Sequence, residues 1–115
     1  MNTSTTTSNV ISSDKVEGTP VYNNAGDKLG SIDDLMIDKH SGHVRYAVLE
    51  FGGFLGMGTD RYPLPWDMLT YDVAREGYVV PIDKDRLKDA PRYSEGTTPS
   101  YTLEYGERVN GYYGI

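Results

Sequence analysis

Two histidines that flank one predicted turn are the side chains best suited to chemistry. His40 and His43 lie close to Asp38, and zinc accepts imidazole and carboxylate ligands. Their spacing matches no specific zinc motif, and the neighbouring sequence offers no further strong ligand. Ser41 lies between them, but it lacks the strand-turn-helix context and the orienting acid of a hydrolase nucleophile. We therefore expect solvated side chains at a hairpin tip, with no metal and no catalytic residue.

A glycine-rich segment, GGFLGMG at residues 52–58, is the second candidate for chemistry. Glycine-rich loops bind phosphate where their N–H groups converge at the start of a helix, and a Walker loop also requires Lys followed by Ser or Thr. Residues 59–63 instead predict the start of a strand. We interpret the segment as a long hairpin connection that binds no cofactor. Its apolar side chains, Phe54, Leu55 and Met57, are expected to cover a barrel end or to lie in an interface.

The composition excludes several classes of protein. A chain of 115 residues suffices for one domain, and the absence of Cys removes disulfides and thiolate sites. Eleven Lys and Arg against 17 Asp and Glu give a net charge of -6, a poor match for a phosphate backbone. No apolar run is long enough to span a membrane, and residues 1–9 lack the pattern of a secretory signal. We expect a cytoplasmic protein that binds no nucleic acid and inserts into no membrane.

The domain predicted between residues 10 and 92 is all-β, because short apolar runs alternate there with turn dipeptides. Five or six strands in about 65 residues leave no room for crossover helices, so we expect an antiparallel sheet. A shift in the apolar alternation predicts a bulge near Asp33 and Asp34. Residues 83–90 predict at most two helical turns that end before a Pro. Trp66, the only Trp, is expected in the core.

The two chain ends differ from this domain. The strand predicted at residues 43–51 is apolar on both faces, which indicates a cover on both faces. Residues 93–115 hold five of the ten Tyr residues and are expected to supply the second cover, on their own chain or on a second copy. Their apolar side chains recur at three- and four-residue intervals, which predicts a short helix over residues 102–110. Residues 1–9, rich in Thr and Ser, are expected to be disordered.

A set of motifs from about residue 10 to residue 92 resembles the PRC-barrel family, and in particular its small stand-alone bacterial members. The motifs are a G-x-x-V opening, L-G-x-I-x-D, a D-x-x-x-G turn, an aromatic-aliphatic strand, F-L-G-M-G and L-P-W-x-x-L. They follow in this order at residues 18–21, 29–34, 38–42, 45–51, 54–58 and 64–69. The resemblance implies a small, partly open, six-stranded barrel that serves as an adaptor surface for other proteins, without catalytic residues. The family includes the cytoplasmic domain of the photosynthetic reaction-centre H subunit and a domain of a ribosome maturation factor.

Three functional hypotheses remain open. The leading one is a non-enzymatic protein-interaction module that forms a homodimer. Its candidate interaction surface consists of Phe51, Phe54, Leu55, Met57, Tyr101, Tyr105, Tyr112 and Tyr113. The second is a ribosome- or RNA-associated assembly factor, which the family analogy favours and the acidic charge opposes. The third is a small-ligand binder or enzyme that uses the glycine-rich segment and the two His residues.

Overall fold

Seven strands in the described part of the chain form a mixed sheet that does not close into a barrel. The computed structural model describes residues 9–54 and 57–115, with side chains described outside residues 53, 54 and 57. The strands are β1 (Pro20–Asn23), β2 (Lys28–Ile37), β3 (Val44–Phe54), β4 (Met57–Pro65), β5 (Thr70–Asp72), β6 (Gly77–Val80) and β7 (Tyr93–Ser94). Their order across the sheet is β5-β6-β1-β2-β3-β4-β7.

Short helices accompany the sheet. They are α1 (Ser13–Val16), α2 (Lys84–Lys88) and α3 (Leu103–Tyr113), with a 3-10 turn at Trp66–Met68. At the start of α2, the Asp83 carboxylate accepts a hydrogen bond of 3.0 Å from the Arg86 backbone N–H. Such a cap satisfies a donor that the first helical turn leaves free. The helical turns predicted over residues 83–90 are therefore confirmed.

The strand number and the strand direction correct two predictions. The sheet has seven strands rather than six, and it is mixed rather than antiparallel, because Val21 of β1 pairs in parallel with Tyr78 of β6. Crossover helices are needed when two parallel strands follow each other in the chain. Here β2 to β5 themselves form the connection between β1 and β6. The strands β5 and β7 have three and two residues, too few for an alternating pattern to reveal them.

The bulge predicted in β2 is confirmed. Ile32 pairs with Leu49 of β3 and Asp34 pairs with Val48, so Asp33 is the extra residue. An extra residue shifts the side chains that follow it to the other face of the strand, as the sequence pattern indicates.

The glycine-rich segment belongs mostly to the hairpin of β3 and β4, so the long connection predicted over residues 52–58 is wrong. Gly52 pairs with Thr59, and Phe54 pairs with Met57. The backbone hydrogen bonds of a strand pair need no side chain, so glycines weaken such a pair without ending it. Leu55 and the side chains of Phe54 and Met57 lie outside the described residues.

The main core lies between the sheet and α2, and its side chains come from α1, from the five strands β1 to β4 and β6, and from the α2 segment. It contains Val16, Val21, Leu29, Ile32, Ala47, Leu49, Tyr62, Leu64, Tyr78, Val80, Leu87 and Ala90. Trp66 packs against this core with its ring 5.5 Å from the Tyr78 ring, but it stays half-buried. Because the 3-10 turn holds Trp66 beyond the end of β4, the prediction of a buried Trp needs correction.

Candidate functional site

The second face of β3 is covered by α3 of the same chain. Tyr46 and Val48 are buried, although they lie on the strand face opposite to the main-core residues of β3. A Cβ added at Gly106 of α3 would lie 2.8 Å from the Tyr46 hydroxyl, so the helix backbone closely approaches this face. Val109 of α3 is 0% exposed. The helix predicted over residues 102–110 is confirmed, and it continues to Tyr113.

Local signals set the two ends of α3. The Thr102 hydroxyl accepts a hydrogen bond of 3.1 Å from the Tyr105 backbone N–H at the start of the helix. Gly114 adopts a φ of 76° and closes the last turn, a conformation that glycine adopts without a Cβ clash. Eleven residues are too few to hold a helix in water without tertiary contacts. The helical state of α3 therefore depends on its docking against the sheet.

A tyrosine cluster joins the beginning of the tail to the sheet. The Tyr101 ring centre lies 5.6 Å from the Tyr46 ring and 5.1 Å from the Tyr105 ring. The Tyr101 hydroxyl shares a hydrogen bond of 2.8 Å with the Tyr93 hydroxyl of β7. Burial raises the pKa of Tyr101, and the hydrogen bond to Tyr93 adds to the increase. These rings are part of the packing of their own chain.

A buried arginine joins four segments of the chain. The Arg61 side chain of β4 is 7% exposed, and Arg61 pairs with Glu50 of β3. Its Nε donates to the Asp33 carboxylate at 3.1 Å, and its Nη atoms lie 3.8 Å from Glu50 and 3.4 Å from Glu95. Sequence reasoning missed this cluster. The β3–β4 register, which places Arg61 opposite Glu50, could have indicated the cluster. That register can be derived only when the two strand ends at the hairpin, Phe54 and Met57, are known.

The end of α3 contacts α2. The Tyr112 hydroxyl donates to the Arg86 carbonyl, and Arg86 Nη2 donates to the Tyr112 carbonyl at 2.5 Å. The Arg86 guanidinium also lies 4.9 Å from the centre of the Tyr112 ring, within the range of a cation–π interaction. Tyr112 and Tyr113 pack against the main core, and burial raises the pKa of Tyr113.

The predicted interaction residues are placed as follows. Phe51 is half-buried and packs edge-on against Tyr62 of the core at 5.5 Å. The four tail tyrosines of the candidate surface contact their own chain in the arrangement described above. Tyr113 also lines an open cleft. The other members of the candidate surface, Phe54, Leu55 and Met57, have side chains that lie outside the described part of the chain.

This open cleft, of about 1120 Å³, lies beside β5. Tyr71, Val73 and Ile115 line it with 46%, 78% and 58% of their surfaces exposed. Asp67, Asp72 and Asp83 supply carboxylates to the same lining. We call the surface formed by these six residues the β5 cleft. Exposed apolar groups gathered within a polar rim are typical of protein-binding surfaces, and sequence reasoning missed this one.

The predicted histidine site is an exposed hairpin tip between β2 and β3. The Asp38 carboxylate accepts hydrogen bonds of 2.9 Å from the backbone N–H groups of Ser41 and His40. These two bonds hold the pKa of Asp38 below its ordinary value. Arg45 Nη1 donates to the other carboxylate oxygen at 3.0 Å. Within residues 9–54 and 57–115, no three His, Asp or Glu side chains are grouped so that they could hold a metal ion.

The seven-stranded mixed sheet, with its main core and with α3 packed against Tyr46 of β3, defines a small β domain with a helical cover. The PRC-barrel domain model matches residues 8–87, so the chain belongs to the PRC-barrel family. A comparison with curated proteins finds no match to the chain. In the described part of the chain, none of the helices has the length and apolar character needed to cross a membrane. The matched residues end before β7 and α3, so the docked tail lies outside the family match.

Proposed function

We propose that this PRC-barrel chain is a non-enzymatic protein-interaction module that associates with further copies of itself. The observation that carries the proposal is the β5 cleft, where the exposed side chains of Tyr71, Val73 and Ile115 gather. PRC-barrel domains are generally non-catalytic, which agrees with a binding role. A second copy fits as partner because the chain also presents an exposed basic side chain, Lys39, that complements the carboxylates of the cleft.

Burial of the exposed apolar groups supplies the affinity. Complete burial of a Val or Ile side chain contributes about 1.5 to 3 kcal/mol. Because Val73 is 78% exposed in the single chain, most of this contribution is available to a partner. A change of about 1.4 kcal/mol corresponds to a tenfold change in dissociation constant. Replacement of Val73 by a charged residue is therefore expected to weaken association by about tenfold or more.

Sedimentation velocity over a range of protein concentrations tests this function. The wild-type chain is expected to show a mass that rises above 12.8 kDa as the concentration increases. Val73→Asp is expected to require at least about tenfold more protein for the same rise. Ile11→Asp is the matched control, because Ile11 is also an exposed aliphatic side chain but lies outside the cleft lining. A wild-type mass of 12.8 kDa at every concentration would contradict the proposed function.

A further inference from the structure

The hairpin between β2 and β3 presents a basic surface on an acidic protein. Lys39 and Arg45 are exposed there, on a chain whose net charge is -6. The carboxylate of Asp38 in the same hairpin accepts two backbone hydrogen bonds and one from Arg45. The charge of Arg45 is therefore paired within the hairpin, and Lys39 supplies the net positive charge. Ile37, which precedes it, is an exposed aliphatic residue. We call residues 37–45 the hairpin tip.

The β5 cleft has the opposite charge. Its lining contains the carboxylates of Asp67, Asp72 and Asp83 and the guanidinium of Arg86. That guanidinium donates to the Tyr112 carbonyl and lies over the Tyr112 ring, so its contacts lie within its own chain. Arg75 Nε lies 3.7 Å from the Asp72 carboxylate, so Asp67 and Asp83 carry the remaining negative charge of the rim. The cleft therefore combines an acidic rim with apolar side chains, and the hairpin tip combines Lys39 with an exposed Ile.

The two surfaces lie at opposite ends of the sheet. The hairpin tip begins at Ile37, the last residue of β2. At the other end, β1 finishes opposite the first residue of β2, and Asn23 of β1 pairs with Val80 of β6. Thr70, where β5 begins, pairs with Val79 of β6 at this end, and β5 extends from there to Asp72, which pairs with Gly77. The cleft therefore lies beside the half of the sheet that is opposite to the hairpin tip. The ten residues of β2, at about 3.3 Å each, separate the two ends by about 30 Å.

We propose that the hairpin tip of one copy binds the β5 cleft of the next copy in a head-to-tail contact, an inference that rests on the self-association proposed above. Lys39 of the tip meets the acidic rim, and Ile37 meets Tyr71 and Val73. Because the contact joins two different surfaces at opposite ends, every added copy leaves one tip and one cleft unoccupied. Assembly of this kind continues to a closed ring or an open filament instead of stopping at a two-fold dimer.

Two variants that each remove one surface test this geometry. The tip variant carries Lys39→Glu and His40→Glu, so that an acidic tip faces an acidic cleft. The cleft variant carries Val73→Asp and Ile115→Asp, which place charge among the apolar side chains. All four substituted positions are exposed, and the three Asp residues of the cleft lining are kept in both variants. Circular dichroism melting of both variants verifies that they fold like the wild type.

The diagnostic experiment is sedimentation velocity of each variant and of their equimolar mixture. Each variant is expected to remain at the single-chain mass at concentrations where the wild type assembles. The mixture is expected to form a species of twice the chain mass, because the intact cleft of one variant accepts the intact tip of the other. Assembly stops at this heterodimer, because its one unoccupied tip and its one unoccupied cleft are the substituted surfaces.

The failure of the head-to-tail contact is distinguishable from the failure of self-association. If the wild type assembles but the mixture stays at the single-chain mass, the head-to-tail geometry is wrong and self-association stands. A wild type that saturates at twice the chain mass also overturns the geometry. A wild type that never assembles overturns the proposed function itself.

Discussion

Removal of two methyl groups from the buried face of α3 tests the docking of the tail. Val109→Ala removes the equivalent of two methylene groups from a side chain that is 0% exposed. Each buried methylene contributes about 0.8 kcal/mol, and the cavity that remains adds a further cost, so we expect a loss of about 2 kcal/mol. For a domain of this length, such a loss lowers the melting temperature by about 8 °C.

Urea unfolding followed by circular dichroism and by the fluorescence of Trp66 measures this change. The matched control is Leu103→Ala in the same helix, because Leu103 is 83% exposed and its truncation removes more atoms than that of Val109. Exposed substitutions of this kind change stability by at most about 0.5 kcal/mol. If Val109→Ala costs no more than Leu103→Ala, α3 does not pack against the sheet, and our account of the second layer is wrong.

Three further perturbations address the contacts around α3. Arg61→Ala leaves three carboxylates without their shared cation and is expected to lower the free energy of unfolding in urea by about 2 to 3 kcal/mol. This cost is smaller than that of breaking a fully buried pair, because Asp33 is 41% exposed. A loss below about 0.5 kcal/mol would contradict a structural role for Arg61. In Gly111→Ala the new Cβ meets no atom within 4 Å, so this substitution is expected to raise stability by up to about 1 kcal/mol. In Gly106→Ala the new Cβ crowds the Tyr46 hydroxyl, so this substitution is expected to stabilise less or to destabilise. Equal effects of the two substitutions would show that α3 does not approach β3 as described. Tyr101 and Tyr113 have a higher pKa in the folded chain than in the unfolded chain, so their contribution to the free energy of unfolding is complete below pH 10. This contribution is lost as the pH rises above about 10, because the tyrosines of the unfolded chain then ionise. Ultraviolet titration is expected to show that some tyrosines ionise only on unfolding, and complete ionisation of the folded protein near pH 10 is the contrary result.

The sequence predicts those parts of the fold in which a local period carries the information. The bulge at Asp33 changes the parity of the apolar pattern within one strand, so it is visible without any partner. The stripe of Tyr105, Val109 and Tyr112 likewise predicts α3, because a helical period is a property of a single segment. The two-sided apolar pattern of β3 then indicates that something covers its second face.

The remaining features depend on contacts between distant segments, which leave no local period. The parallel pairing of Val21 with Tyr78 joins strands that are far apart in the chain. The partners of Arg61 come from β2, β3 and the segment after β7, so no single window of sequence contains the ion cluster. Val73 follows a three-residue strand and resembles an ordinary turn residue. Its exposure beside Ile115 arises only when the fold brings the end of α3 to β5.

The most direct test of the central proposal, the self-association of this PRC-barrel chain, is a dilution series of amide nitrogen–proton correlation spectra. We predict that amide signals shift with concentration at the hairpin tip, residues 37–45, and at the six residues of the β5 cleft, Asp67, Tyr71, Asp72, Val73, Asp83 and Ile115. The tyrosine cluster around Tyr101, which is packed within its own chain, is expected to keep its signals unchanged. Spectra that stay identical over the whole concentration range would contradict the proposal.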